Sequence, residues 1–252
     1  MPTNTHSGAI EGFGLLPAVL HAKMDKFDGV QLFVNDDLLD EAKFEQIINE
    51  ILDSNLTNVV LHLPNLENLK AEYIDAANRF IARLPAQFRW HALIHLEVKE
   101  FGEVRNITFE EVPVIGGRKV CIENSKTGVF NKESVISAVR LARALGAGFV
   151  FDIGRILYPN ESGEVNPDEV YTFIREVMQN MDPQTDVIHT AGKLAWEKRF
   201  RDAAAPFGAK GDITYPLKDA LLDFHNQGGI VVFEHEDQEM ILTSRVNLLK
   251  EP

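Results

Sequence analysis

The chain has 252 residues, 45% of them hydrophobic and 25% charged, with a formal net charge of −13 and a single cysteine. That balance describes a soluble globular protein with enough apolar side chain for a sizeable core, and the acidic excess weighs against a broad nucleic-acid surface. Cys121 alone excludes an intramolecular disulfide framework, which makes a reducing cytoplasm the expected compartment.

No apolar run has the length of a membrane span, and the polar start Met1-Pro-Thr-Asn-Thr-His lacks a signal-peptide core. A first strand is expected at residues 7–11, then a helix over 15–26 after Gly14. Gly29-Val-Gln-Leu-Phe-Val34 reads as a strand, and Asn35-Asp-Asp as the cap of a helix carrying Leu38, Phe44, Ile47, Ile48 and Ile51 at helical spacing. Strands follow at 58–64 and 88–97, with a helix over 67–84 between them. Residues 98–117 break the rhythm: β-branched residues alternate with charges, and Pro113 and Gly116-Gly117 argue against a helix. The spacing predicts an extended excursion there, in place of the fourth outer helix, lying at the barrel mouth over the site. Alternation then resumes with strands at 119–123, 148–152, 186–189 and 230–234. Helices are expected over 132–145, 167–181, 194–205, 217–226 and 238–249.

Eight strands separated by mostly helical crossovers in about 250 residues predict a single α/β domain over 1–252, a (β/α)8 TIM barrel. A doubly wound open sheet is the main rival. Neither G-x-G-x-x-G nor G-x-x-x-x-G-K-[ST] follows any strand, so that fold's usual phosphate loops are missing.

Four of the strands end in a polar residue: Lys119-Val-Cys-Ile-Glu-Asn-Ser125, Phe151-Asp152, Ile188-His189 and Phe233-Glu234. Side chains alternate across a strand, so the residue two places earlier shares the face. Those predecessors are Cys121, Val150, Val187 and Val232, compact and apolar as a barrel interior requires. His62 above Val60 and His95 above Leu93 obey the same rule. Chemistry in such barrels sits at the C-terminal ends of the strands. Glu123, Asp152, His189 and Glu234 are therefore expected to converge as ligands of one divalent ion. Their oxygen-rich, one-imidazole chemistry suits Mn, Mg, Co or Zn. Each residue also has a bland reading, as a strand-end cap, an ion-pair partner or a satisfied interior histidine, and Glu236 competes with Glu234 for the same face.

The strand ends Ile122-Glu-Asn124, Phe151-Asp-Ile-Gly-Arg155, Ile188-His189 and Val232-Phe-Glu234 resemble the xylose-isomerase-like superfamily of sugar isomerases, ketose 3-epimerases and endonuclease IV. The resemblance is best over residues 119–236. It implies metal ligands Glu123, Asp152, His189 and Glu234, with Glu123 and Glu234 as the catalytic pair. It also implies isomerase or epimerase chemistry on a small sugar, sugar acid or sugar phosphate. A hydrolase or lyase on the same fold, or a barrel whose metal site has degenerated, is the alternative. His62, His95, Arg155 and Lys193 are the expected substrate contacts. The expected partner is a small carbohydrate-like molecule, neutral or anionic, rather than nucleic acid or membrane, and a homo-oligomer is left open.

Two departures stand out. The family pattern Asp-x-x-His reads here Asp152-Ile-Gly-Arg155, and the residues after His189 are Thr190-Ala-Gly-Lys193. Endonuclease IV carries more His and Asp ligands than this chain supplies. Arg155 has two readings: with Lys193 it faces an anionic substrate group, or it pairs with an acidic neighbour such as Glu123 or Glu234 and displaces metal.

Overall fold

The computed structural model describes residues 3–6 (backbone alone), 14–95, 111–124, 132–156, 166–193, 205–234 and 238–250. The strands are β1 (Thr3–His6), β2 (Gly29–Phe33), β3 (Asn58–His62), β4 (Arg89–His95), β5 (Val114–Ile115), β6 (Arg118–Lys119), β7 (Cys121–Glu123), β8 (Phe149–Asp152), β9 (Val187–Thr190) and β10 (Ile230–Phe233). The helices are α1 (Leu15–Met24), α2 (Glu41–Leu52), α3 (Ala71–Arg83), α4 (Lys132–Ala144), α5 (Pro167–Gln179), α6 (Lys218–Asn226) and α7 (Gln238–Leu249). Eight parallel strands close into a barrel in the order β1-β10-β9-β8-β7-β4-β3-β2, the TIM-barrel fold that the alternation predicts. Followed from strand to strand, the Cα registers return to the first strand displaced by eight residues, the stagger of this barrel type.

The barrel strands β2, β3, β7, β8, β9 and β10 are buried on both faces, which is why they read as nearly continuous apolar runs. The outer face, including Leu32, Leu61, Ile94, Ile122, Phe151, Ile188 and Phe233, packs under the helices. The inner face forms a separate cluster of Val60, Leu93, Cys121, Val150, Val187, Ile230 and Val232. These compact side chains fill the lumen beneath the strand ends and give each polar residue above them a rigid floor. Gly148 is needed here. A Cβ at this position would meet Thr185 O at 2.1 Å and Cys121 Sγ at 2.7 Å, so backbone and sulfur approach closely only past glycine. Among the described residues no helix is long and apolar enough to cross a membrane.

The helices follow their apolar spacing. α2 buries Phe44, Ile47, Ile48 and Ile51, and its cap is Asp40, whose carboxylate accepts from Ala42 N and Lys43 N at 3.0 and 3.1 Å. Asn35 caps only the short 3-10 turn Asp36–Leu38, so the helix starts later than the sequence predicts. α5 begins as expected, with Asn166 accepting from Glu169 N and Pro167 in the first turn.

Three expectations shift. The first strand is Thr3–His6, ahead of residues 7–11, which lie outside the described residues. The helix expected over 194–205 lies almost wholly outside them too; Ala205, which is described, forms a bridge with Gly192. Of the excursion at 98–117, residues 98–110 lie outside. The rest is extended, as expected, but it is not at the mouth. β5 and β6 form an antiparallel hairpin over Gly116 (φ 54°) and Gly117 (φ 77°). Gly116 N donates to Asn78 Oδ1 at 2.8 Å, and Arg118 stacks over Trp90, near the start of β4. Among the described residues no helix lies between β4 and β7. The reason for the hairpin's position is topological. A strand parallel to its neighbour must be re-entered from the N-terminal end, so the residues just before Cys121 are bound to the base.

Candidate active site

Seven strands, β2, β3, β4 and β7 to β10, deliver described side chains to the C-terminal mouth. Register pairs His95 with Glu123 and Asp152 with His189, while Val232 lies beside His189 and places Glu234 two residues higher. Glu234 N donates to Thr190 O at 2.9 Å, which continues the sheet one residue past β10. Asn124 stitches β7 to β8: its Oδ1 accepts from Asp152 N at 2.7 Å and its Nδ2 donates to Asp152 O at 3.1 Å.

Glu123, fully buried, is the centre. Its Oε1 lies 2.9 Å from Arg155 Nη2 and 3.3 Å from His189 Nδ1. Its Oε2 lies 3.2 Å from His95 Nε2 and 3.7 Å from His62 Nε2. His189 Nδ1 is also 3.0 Å from Glu234 Oε1, which accepts from Gln31 Nε2 at 2.9 Å. The two histidines on β3 and β4 meet Nε2 to Nε2 at 2.7 Å. His62 Nδ1 is 3.0 Å from Leu63 O, so Nδ1 carries the hydrogen and Nε2 accepts. His95 Nε2 is then the donor, shared between His62 and Glu123.

Burial alone would push the Glu123 carboxyl up, but Arg155, His95 and His189 outweigh it and hold the group well below the usual carboxylate range. Burial opposes a charge on His189, yet Glu234 and Glu123 on either side raise it to about 10. Burial, with His95 beside it, pushes His62 down to about 3, and burial also lowers His95. Asp152 is pushed up to about 7 by burial despite the guanidinium against it, so it is a carboxylate close to neutrality. The cluster thus balances Glu123 and Glu234 with Arg155 and His189.

The structure draws the expected ligands together unequally. Glu123, His189 and Glu234 each offer an atom within 4.8 Å of the others, and so do His62, His95 and Glu123. Both Glu123 oxygens and both His189 nitrogens are buried, and Glu123 Oε1 and Glu234 Oε1 lie 3.3 and 3.0 Å from the same His189 Nδ1. Carboxylate and imidazole donors gathered this closely suit a divalent ion. These His/Glu groups are candidate metal-binding groups. Asp152 belongs to neither, because Arg155 Nε takes it at 2.5 Å. Arg155 is therefore turned onto Asp152 and Glu123. Lys193 is buried in the loop after β9, its backbone N donating to Asp212 Oδ1 at 2.8 Å. Glu236 lies outside the described residues.

Sequence reasoning passed over Gln31 and noted Asn124 beside Glu123 without giving it a role. Gln31 had a signal: a polar residue at an inward position of a core strand, here completely buried with Oε1 unpaired.

A parallel eight-stranded barrel with a buried acid–imidazole–guanidinium cluster at its C-terminal mouth defines a class in which the reaction depends on the site and not on the fold. No protein-family model and no curated protein matches the chain. Solved structures do, and the chain shares the fold of the xylose-isomerase-like barrels. A xylose isomerase domain protein from Alicyclobacillus acidocaldarius superposes with TM-score 0.61 at 16% identity, over 98% of this chain and 96% of that one. D-psicose 3-epimerase from Clostridium cellulolyticum, solved with D-tagatose, gives 0.59 at 11% identity over 98% and 97%. Endonuclease IV from Thermus thermophilus gives 0.60 at 16% identity over 98% and 97%.

Proposed function

We propose that the protein is a metal-dependent isomerase or epimerase that moves a proton next to the carbonyl of a small sugar, sugar acid or sugar phosphate. The observation that carries this is the convergence of Glu123, His189 and Glu234 at the mouth, each offering an atom within 4.8 Å of the others. These three residues would hold one divalent ion. When bound, such an ion polarises the substrate's oxygens and eases the negative charge left by proton removal.

The remaining work falls to the side chains. Glu234, half-buried and oriented by Gln31 Nε2 at 2.9 Å, is the carboxylate open to substrate and takes the proton from carbon. Glu123 lies across the cluster as a carboxylate, its Oε2 3.2 Å from His95 Nε2, and Glu234 returns to carbon the proton it took. His62, stacked on Phe33 with centroids 4.1 Å apart, fixes His95 through their shared hydrogen bond. The apolar lumen below keeps water from entering beneath the reacting carbon.

The test is metal analysis of the purified protein, then a panel of ketoses, aldoses, sugar acids and sugar phosphates in deuterated water. Deuterium should enter at the carbon beside the carbonyl of one class, and chelation or Glu234→Gln should abolish it. Hydrolysis or bond cleavage of a substrate without exchange would replace this reading with the hydrolase or lyase one. A metal-free protein inert to the whole panel would sink both.

A further inference from the structure

Asp152 stands at the right strand end to be a fourth ligand, yet its carboxylate joins neither convergent group. Arg155 holds it. The guanidinium is 5% exposed and uses three nitrogens on three acceptors. Nε is 2.5 Å from Asp152 Oδ2, Nη2 is 2.9 Å from Glu123 Oε1, and Nη1 donates to Asn124 O at 2.6 Å. Asp152 Oδ1 also accepts from the Arg155 backbone N at 3.3 Å. The arginine is thus folded back over its own strand end and fixed to β7 and β8 together. Its fork is rigid and its charge permanent, so it cannot give up Asp152 by losing a proton as an imidazole could.

Resting on the metal reading above, we infer that Arg155 is a built-in cation that keeps Asp152 out of the metal's coordination and sets the affinity for a divalent ion low. Glu123, His189 and Glu234 are then the ligands that the described residues supply. Two effects act in the same direction. The fixed positive charge repels an ion placed beside it, and the ion loses a carboxylate that a neutral residue at position 155 would release. The same loss leaves more of the ion's positions to substrate oxygens.

Titration calorimetry of the full-length protein with Mn²⁺ alone tests this, with folding of each variant checked by circular dichroism. Wild type should bind one ion weakly. Arg155→Met should bind it at least about tenfold tighter, and the gain should vanish in Arg155→Met/Asp152→Asn. Asp152→Asn alone should stay within about threefold of wild type, whereas Glu234→Gln should lose about tenfold or more. An Asp152→Asn loss as large as that of Glu234→Gln would show Asp152 to be a ligand already; this overturns the inference and leaves the metal reading standing. Arg155→Met with unchanged affinity overturns it as well. Failure of every variant, Arg155→Met included, to bind any ion would overturn the metal reading itself. If Arg155→Met does not fold, the near-isosteric Asp152→Asn decides alone.

Discussion

The two oxygens of Glu123 look onto different chemistry. Oε1 faces the permanent charge of Arg155 at 2.9 Å and the imidazolium of His189 at 3.3 Å. Oε2 faces His95 and His62 at 3.2 and 3.7 Å, both pushed toward the neutral form by burial. A pair of unit charges about 4 Å apart is worth roughly 4 kcal/mol at a protein-like dielectric, against about 1.5–3 kcal/mol for a hydrogen bond from a neutral donor to a charge. The arginine side therefore fixes the ionisation of Glu123, and the histidine side adds only neutral hydrogen bonding.

The largest blow to this comparison is Glu123→Gln. It keeps the shape and removes the charge that Arg155 and His189 share, leaving buried cations without it. Such a loss costs about 3–5 kcal/mol, read as a lower midpoint in urea unfolding. A change below about 1 kcal/mol would mean that Glu123 is not the pivot of the cluster.

A second measurement isolates the effect that keeps the histidine side neutral. His91 lies on the same inward face of β4 as His95, four residues lower, with its Nδ1 3.9 Å from Cys121 Sγ. Burial pushes it down to about 4 from 6.5, with Arg89 and Arg118 adding to the fall and Asp186 opposing it. Between those values the unfolded chain takes up a proton that the native protein refuses. This stability is complete above pH 6.5 and is lost as pH falls toward 4, at about 1.4 kcal/mol per unit and roughly 3 kcal/mol in all. His91→Asn should flatten that part of the stability–pH curve by a similar amount. An unchanged curve would show that burial does not govern imidazole charge in this barrel.

Why some of this was legible in the sequence, and some was not, is itself physical. A strand's period of two is exact, so the sequence alone places Glu123, His189 and Glu234 above Cys121, Val187 and Val232. The same holds for His62 and His95. Arg155 lies three residues past Asp152, in a turn where that period ends, so its direction depended on which acceptors lay within reach of a long side chain. Thr3–His6 carries no apolar alternation and gave no strand signal; its place in the barrel comes from pairing with β10 and β2. Asn35 and Asp40 are both good caps, and only the 3-10 turn between them, which no sequence spacing marks, gives the helix to Asp40.

The smallest expected effect sharpens the comparison most. Asn124 joins the arginine side without touching the histidine side. Its amide spans Asp152 N and O at 2.7 and 3.1 Å, and its carbonyl accepts from Arg155 Nη1 at 2.6 Å. Its own backbone N is held by Val150 O at 3.2 Å, so the strand end survives loss of the side chain. Asn124→Ala removes two hydrogen bonds and should cost about 1–2 kcal/mol. Asp152 and Arg155 would loosen, while His62 and His95 keep their bond to each other and His62 its bond to Leu63 O. In nitrogen-detected spectra, the Arg155 Nε–H resonance should shift or broaden and the two imidazole signals should stay in place. If the imidazoles move with the arginine, Glu123 transmits strain from one side to the other, and its oxygens do not act as separate stations.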